Sequence, residues 1–197
     1  MARMHAQTPL LLNVSVYVRS HPRVSLFVND ELIGEAEVST ATQYTAVFSS
    51  VPYQAGNLTA IASGGSRGDI VTKTLLTAGV PSALRLITDT QRLCAQDRSA
   101  LAYVSVQVVD AFGVAVPDAR VKVHFAVMGG GVEVVAVGSG DPQDTSSFYG
   151  SYRVTWRGRA VALLRPLRPT THQLPTNVTV MAQADGLPTA SIAIELA

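Results

Sequence analysis

The stretch Tyr103-Val104-Ser105-Val106-Gln107-Val108 decides the fold class. Its apolar residues fall at every second position, so Val104, Val106 and Val108 share one face and Tyr103, Ser105 and Gln107 the other. Strict alternation describes a strand with one buried and one wet face, the pattern of antiparallel sheets. The pattern recurs in both directions. Upstream, Val14, Val16 and Val18 alternate with Ser15, Tyr17 and Arg19. Downstream, Val121, Val123, Phe125 and Val127 alternate with Lys122, His124 and Ala126, followed by Val178, Val180 and Ala182, then Ile192, Ile194 and Leu196. Gly and Pro punctuate the chain too often for a long amphipathic helix. The chain reads as all-β.

Turn signals divide it. The first half predicts strands near 12–19, 23–29, 31–38, 43–49, 57–63 and 69–76, with Asn29-Asp30 suited to a tight hairpin because both residues tolerate left-handed backbone. Thr77-Ala78-Gly79-Val80-Pro81-Ser82 then ends a strand and opens a new domain. The second half predicts strands near 83–88, 101–109, 119–128, 131–137, 158–165, 176–184 and 189–196. Short strands with frequent turns fit immunoglobulin-like sandwiches. The expectation is an unassigned segment at 1–11, a small immunoglobulin-like antiparallel sandwich at 12–79, and a larger one at 80–197 with a long loop at 138–157. Loops of that length are functional or packed by their own side chains. Phe148, Tyr149, Tyr152 and Trp156 are the side chains available to pack it.

Composition excludes several classes. Charged residues are 15%, against roughly 25% in soluble domains, and mean hydropathy is +0.25. So little charge suggests that a partner chain or domain covers part of the surface. Net charge is +1 and the arginines are scattered, without the basic stripe that nucleic acid needs. Cys94 is the single cysteine, so no internal disulfide is possible. Leu10-Leu11-Leu12 is too short for a signal-peptide core and runs into a strand pattern. No stretch is long and apolar enough to span a membrane as a helix. Localisation stays open.

Catalytic candidates are weak. Hydrolysis by a carboxylate pair needs the two groups facing each other, roughly 5–5.5 Å apart across the scissile bond. Glu35 and Glu37 point the same way along one strand, about 6.5–7 Å apart, and read as a wet face. Glu133 and Glu195 take outward strand positions. Asp141 precedes Pro142, a common turn arrangement. His5, His21, His124 and His172 show no metal-ligand spacing, and Cys94 has no nearby histidine. Gly129-Gly130-Gly131 and Gly138-Ser139-Gly140 lack the following helix that a phosphate cradle requires. Arg67-Gly68-Asp69 is an integrin-type tripeptide made of good turn formers. Three of the four asparagines, Asn13, Asn57 and Asn177, sit in glycosylation sequons that also fit plain strand alternation. The reading assigns no catalytic residue, no metal and no cofactor.

Two further stretches carry a resemblance. One is the turn Asp110-Ala111-Phe112-Gly113 through Val116-Pro117-Asp118. The other is the loop Gly140-Asp141-Pro142 through Phe148-Tyr149-Gly150 to Arg153. With Gly158-Arg159-Ala160, Leu164-Arg165 and Ala182 to Leu187, they resemble the last module of glycoside hydrolase family 2, the β-galactosidase family. Val24 through Asn29, Ile33-Gly34 and Val51 through Ala60 resemble the immunoglobulin-like module that follows the family's catalytic barrel. Ser139 stands where the family more often has Asn, and Asp30 where it has Gly. The resemblance implies a non-catalytic accessory region of a β-galactosidase-like enzyme of carbohydrate metabolism, starting downstream of the barrel and of the sugar-binding jelly roll. The implied partners are the barrel or another protein chain, and carbohydrate. Gly140, Asp141, Pro142, Phe148, Tyr149 and Arg153 form the candidate interface loop. The alternative is a bacterial adhesin-type spacer or binding module, since the Asp110–Gly113 turn also resembles invasin-type repeats. Such repeats are copies of one template, whereas these two halves differ.

Overall fold

The computed structural model describes residues 10–66, 68–167 and 176–197. Every regular element among them is a strand, as the alternation predicts. The chain divides into two compact units, Met1–Thr77 and Ala78–Ala197.

In the smaller unit, β1 (Leu11–Tyr17) pairs antiparallel with β4 (Thr45–Pro52). A second sheet has the order β3 (Glu31–Glu37), β2 (Arg23–Val28), β5 (Asn57–Ser63), β6 (Val71–Leu76). Val24, Leu26 and Val28 alternate inward from β2 and meet Ala46, Phe48 and Val51 from β4. Asn29 and Asp30 both adopt left-handed backbone, with φ of 49° and 68°, and turn β2 into β3. Asn29 also ties this hairpin to the next. Its Oδ1 accepts from the Asn57 amide at 2.9 Å and its Nδ2 donates to the Ala55 carbonyl at 3.1 Å. All six residues of β6 are exposed.

The larger unit stacks two sheets. One has the order β12 (Tyr152–Val154), β10 (Lys122–Met128), β14 (Asn177–Ala184), β15 (Leu187–Leu196), β8 (Arg92–Leu93). The other has the order β11 (Val132–Gly138), β13 (Arg159–Pro166), β9 (Ala102–Val109), β7 (Ala83–Thr88). Val104, Val106 and Val108 point inward from β9 and are fully buried. They share the interior with Val123, Phe125, Ala162, Leu164, Val180 and Ile194.

Two strands were not expected. β8 pairs parallel with β15, matching Arg92 to Glu195 and Leu93 to Leu196, so the sheet is antiparallel except at this edge. Arg92 Nη2 donates to Glu195 Oε1 at 2.7 Å across it. β12 lies inside the stretch expected to be loop and pairs Lys122 with Val154 and His124 with Tyr152. Two or three residues are too few to show alternation, and only their partners make them strands. The loop between β11 and β12 is therefore shorter than 138–157.

Candidate functional site

The loop is organised by one buried side chain. In β12, Tyr152 and Val154 face outward and Arg153 takes the inward position, where it is 3% exposed. A buried guanidinium must find acceptors. Its Nη1 donates to Asp144 Oδ2 at 2.7 Å and to Ser146 Oγ. Its Nη2 donates to the carbonyls of Val137 at 2.7 Å and Ser147 at 2.8 Å. The Phe148 ring lies beside the guanidinium, 5.3 Å from its carbon. Asp144 Oδ1 also accepts from the Ser146 amide at 2.9 Å and from the Ser146 hydroxyl. The Ser146 hydroxyl and amide, with help from Arg153, hold the Asp144 carboxyl well below the usual range, at about 2.

A turn precedes this network. The Asp144 amide donates to the Asp141 carbonyl at 3.2 Å, Asp141 Oδ1 accepts from the Gln143 amide at 3.0 Å, and Pro142 presets the backbone between them. Asp141 faces Arg120 at 3.6 Å. Gly140 has a φ of +77°, which a side chain would strain. Further along, the Val137 amide donates to the Phe148 carbonyl at 2.8 Å and the Phe125 amide to Ser151 at 2.6 Å.

Among the candidate interface residues, Gly140, Pro142, Phe148 and Tyr149 are exposed, Asp141 is half-buried and Arg153 is buried. Arg153 departs from its expected place at the surface, because it is the loop's internal anchor. Of the four aromatics expected to pack the loop, Trp156 is half-buried, whereas Phe148, Tyr149 and Tyr152 are exposed. Phe148 is 65% exposed and Tyr149 86%, so hydrogen bonds to Arg153 order the loop in their place. Next to it is an open cleft of about 640 Å³ lined by Arg120, Asp141, Gln143, Ser147, Tyr149 and Tyr152 among others. Sequence reasoning missed the Arg153–Asp144 pair. Its one local signal is Asp144-Thr145-Ser146, an aspartate two residues before a serine.

The Asp110 turn is built the same way. The buried carboxylate accepts from the Gly79 amide at 2.8 Å, Phe112 at 2.9 Å and Val114 at 2.8 Å. These amides, Gly79 first, lower its pKa. Glu35 and Glu37 are exposed on β3, and Glu35 accepts from Ser25 Oγ at 2.8 Å. Glu133 pairs with Arg165 at 2.9 Å. His124 is exposed beside Tyr152. His21 is buried against Asp69 at 3.4 Å, a contact that its place before Pro22 does not announce. Cys94 is exposed. No group of three or more potential metal ligands occurs among the described residues. His5, Arg67 and His172 lie outside the described residues.

The family described as glycoside hydrolase family 2 C-terminal domain 5 matches residues 84–193, more than half of the chain. The chain belongs to glycoside hydrolase family 2. A second match, a domain of unknown function (DUF4982), covers residues 11–70. A β-glucuronidase of Formosa agariphila is 33% identical over 68% of this chain and 14% of its own length. The β-galactosidase BoGH2A of Bacteroides ovatus is 29% identical over 76% of this chain and 17% of its own. The chain thus spans about a sixth of the curated family 2 relatives it matches. A solved family 2 member from Bacteroides cellulosilyticus superposes with a TM-score of 0.82 at 31% identity, over 94% of this chain and 23% of its own. A β-glycosidase from Bacteroides vulgatus shares the fold, with a TM-score of 0.83 at 19% identity over 97% of this chain and 23% of its own.

Proposed function

We propose that this chain is a non-catalytic accessory region of a larger family 2 glycosidase, where it braces the catalytic barrel. The observation that carries the reading is the coverage: 94% of this chain maps onto 23% of a solved family 2 member. The remainder of such a protein is where the catalytic carboxylate pair of a retaining enzyme would lie. Exposed apolar side chains support a covered surface. Tyr17, Val71, Leu75 and Leu76 of the smaller unit are all more than half exposed, more than an isolated sandwich favours. The two units also differ in strand number and sheet order, which counts against an adhesin spacer of repeated copies. Two measurements test the reading. Sequencing the transcript upstream of Met1 should show an open frame encoding a barrel; another gene there would remove the parent enzyme. The purified chain should not turn over an aryl β-galactoside. Turnover that disappears on mutating Asp141 or Glu133 would overturn the assignment.

A further inference from the structure

We propose that the cleft beside β12 binds uncharged carbohydrate, with Tyr149 as its stacking platform. The choice of ligand class rests on the accessory-region reading; the geometry is independent of it. A pyranose offers axial C–H groups on its faces and hydroxyls around its rim. Its site therefore needs an open aromatic face beside planar polar groups that both donate and accept.

The cleft supplies both. Tyr149 is among the most exposed aromatic side chains, and among the described residues no cation or aromatic ring stacks on it. By contrast Tyr152, Phe148 and Trp156 each have a cationic neighbour. Gln143 offers an amide, Arg120 a guanidinium and Asp141 a carboxylate along the same lining. At about 640 Å³ the cleft falls within the roughly 300–1,000 Å³ of small-ligand sites. Charge narrows the class further. Two arginines, Arg120 and Arg153, line it with two aspartates, Asp141 and Asp144, and each arginine faces one aspartate. These four charges pair off, and a further cation, the exposed Lys122 ammonium 4.0 Å from the Tyr152 ring centroid, is screened by solvent, so the field favouring a phosphate or a uronic acid is weak.

The backbone that carries Tyr149 is held in place. The Tyr149 amide donates to Ser147 Oγ at 3.1 Å, Arg153 holds the Ser147 carbonyl, and the Val137 amide holds the Phe148 carbonyl. A loop already ordered loses little conformational entropy on binding.

The test is NMR titration of the full 197-residue chain with β-1,4-galactotetraose, cellotetraose and glucuronic acid. Shifts of the Gln143, Ser147 and Tyr149 amides should saturate in the millimolar range with at least one neutral tetrasaccharide and not with glucuronic acid. Tyr149→Ala should weaken binding ~10-fold or more, and Tyr149→Trp should retain it. Phe112→Ala, which removes another exposed aromatic, should leave it unchanged. No saturable shift with either neutral probe, equal affinity in Tyr149→Ala, or preference for glucuronic acid would each overturn the proposal. So would shifts at these amides on adding a family 2 catalytic barrel that persist in competition with sugar. Turnover of an aryl β-galactoside by the purified chain would remove the accessory reading and leave the binding result standing, so the two failures are distinguishable.

Discussion

Replacing Arg153 by alanine asks whether one side chain holds the loop. The guanidinium serves four acceptors on Asp144, Ser146, Val137 and Ser147. Truncation leaves the Val137 carbonyl unpaired in a buried position, and a buried group left without its hydrogen bond costs roughly 1–3 kcal/mol. Asp144 and Ser147 lie nearer the surface, where water recovers part of the loss. The stranded Val137 carbonyl and the other lost bonds to the buried guanidinium together bring the cost of truncation to ~3 kcal/mol. The larger unit contains about 120 residues. At ~2.1 cal/mol/K per residue, that loss lowers its Tm by ~12 °C. Trp156 is the single tryptophan and lies in the turn between β12 and β13, so its fluorescence during thermal unfolding reports on the right unit. Arg153→Lys keeps the charge without the planar fork and should recover less than half of the loss. A fall in Tm below ~3 °C for R153A would refute the argument that the arginine orders the loop.

Three further outcomes follow from the same unit. Thr155 is fully buried; its hydroxyl donates to the Ala119 carbonyl at 2.7 Å and accepts from the Val121 amide at 2.9 Å. Thr155→Val keeps the shape and strands both groups, so urea unfolding should show a loss of ~2–3 kcal/mol; a neutral result would mean that water reaches them. Gly158 has a φ of +69°, and an added Cβ would lie 2.2 Å from the Val116 carbonyl oxygen. Gly158→Ala should therefore lower the urea midpoint more than Gly186→Ala, where φ is also positive but nothing lies within 4 Å. Acid should act through Asp144 and Asp110, whose pKa values are both lowered in the fold. Their contributions are present above the unfolded carboxyl value of about 3.9 and fade as pH falls toward the folded value of about 2 for Asp144. Urea midpoints should drop between those limits, and Asp144→Asn should flatten the drop.

Strands long enough to alternate were readable. β9, β10 and β14 run seven or eight residues, and their valines mark the buried face without further information. β8 and β12 were hidden because two or three residues carry no period. Arg153 was misplaced for the same reason: an arginine between Tyr152 and Val154 reads as an outward position. It faces inward because acceptors six to sixteen residues away in sequence converge on it. Gly140-Asp141-Pro142 was legible as a turn and as a family signature. The Gly79 amide on Asp110, 31 residues away, was not, since local pattern says nothing about which backbone a carboxylate will meet.

The parallel edge where β8 meets β15 has a consequence for synthesis. Arg92 and Glu195 are 103 residues apart, and ribosomes add ~5–20 residues per second. Leu93 and Ala95, both buried in the finished sandwich, therefore wait on the order of 5–20 s for the strand that covers them. Contacts this distant also slow the folding search itself. During that interval the nascent unit exposes apolar strand to its surroundings, so a slower ribosome or an early stop codon near Ile192 should lower the soluble yield of this chain.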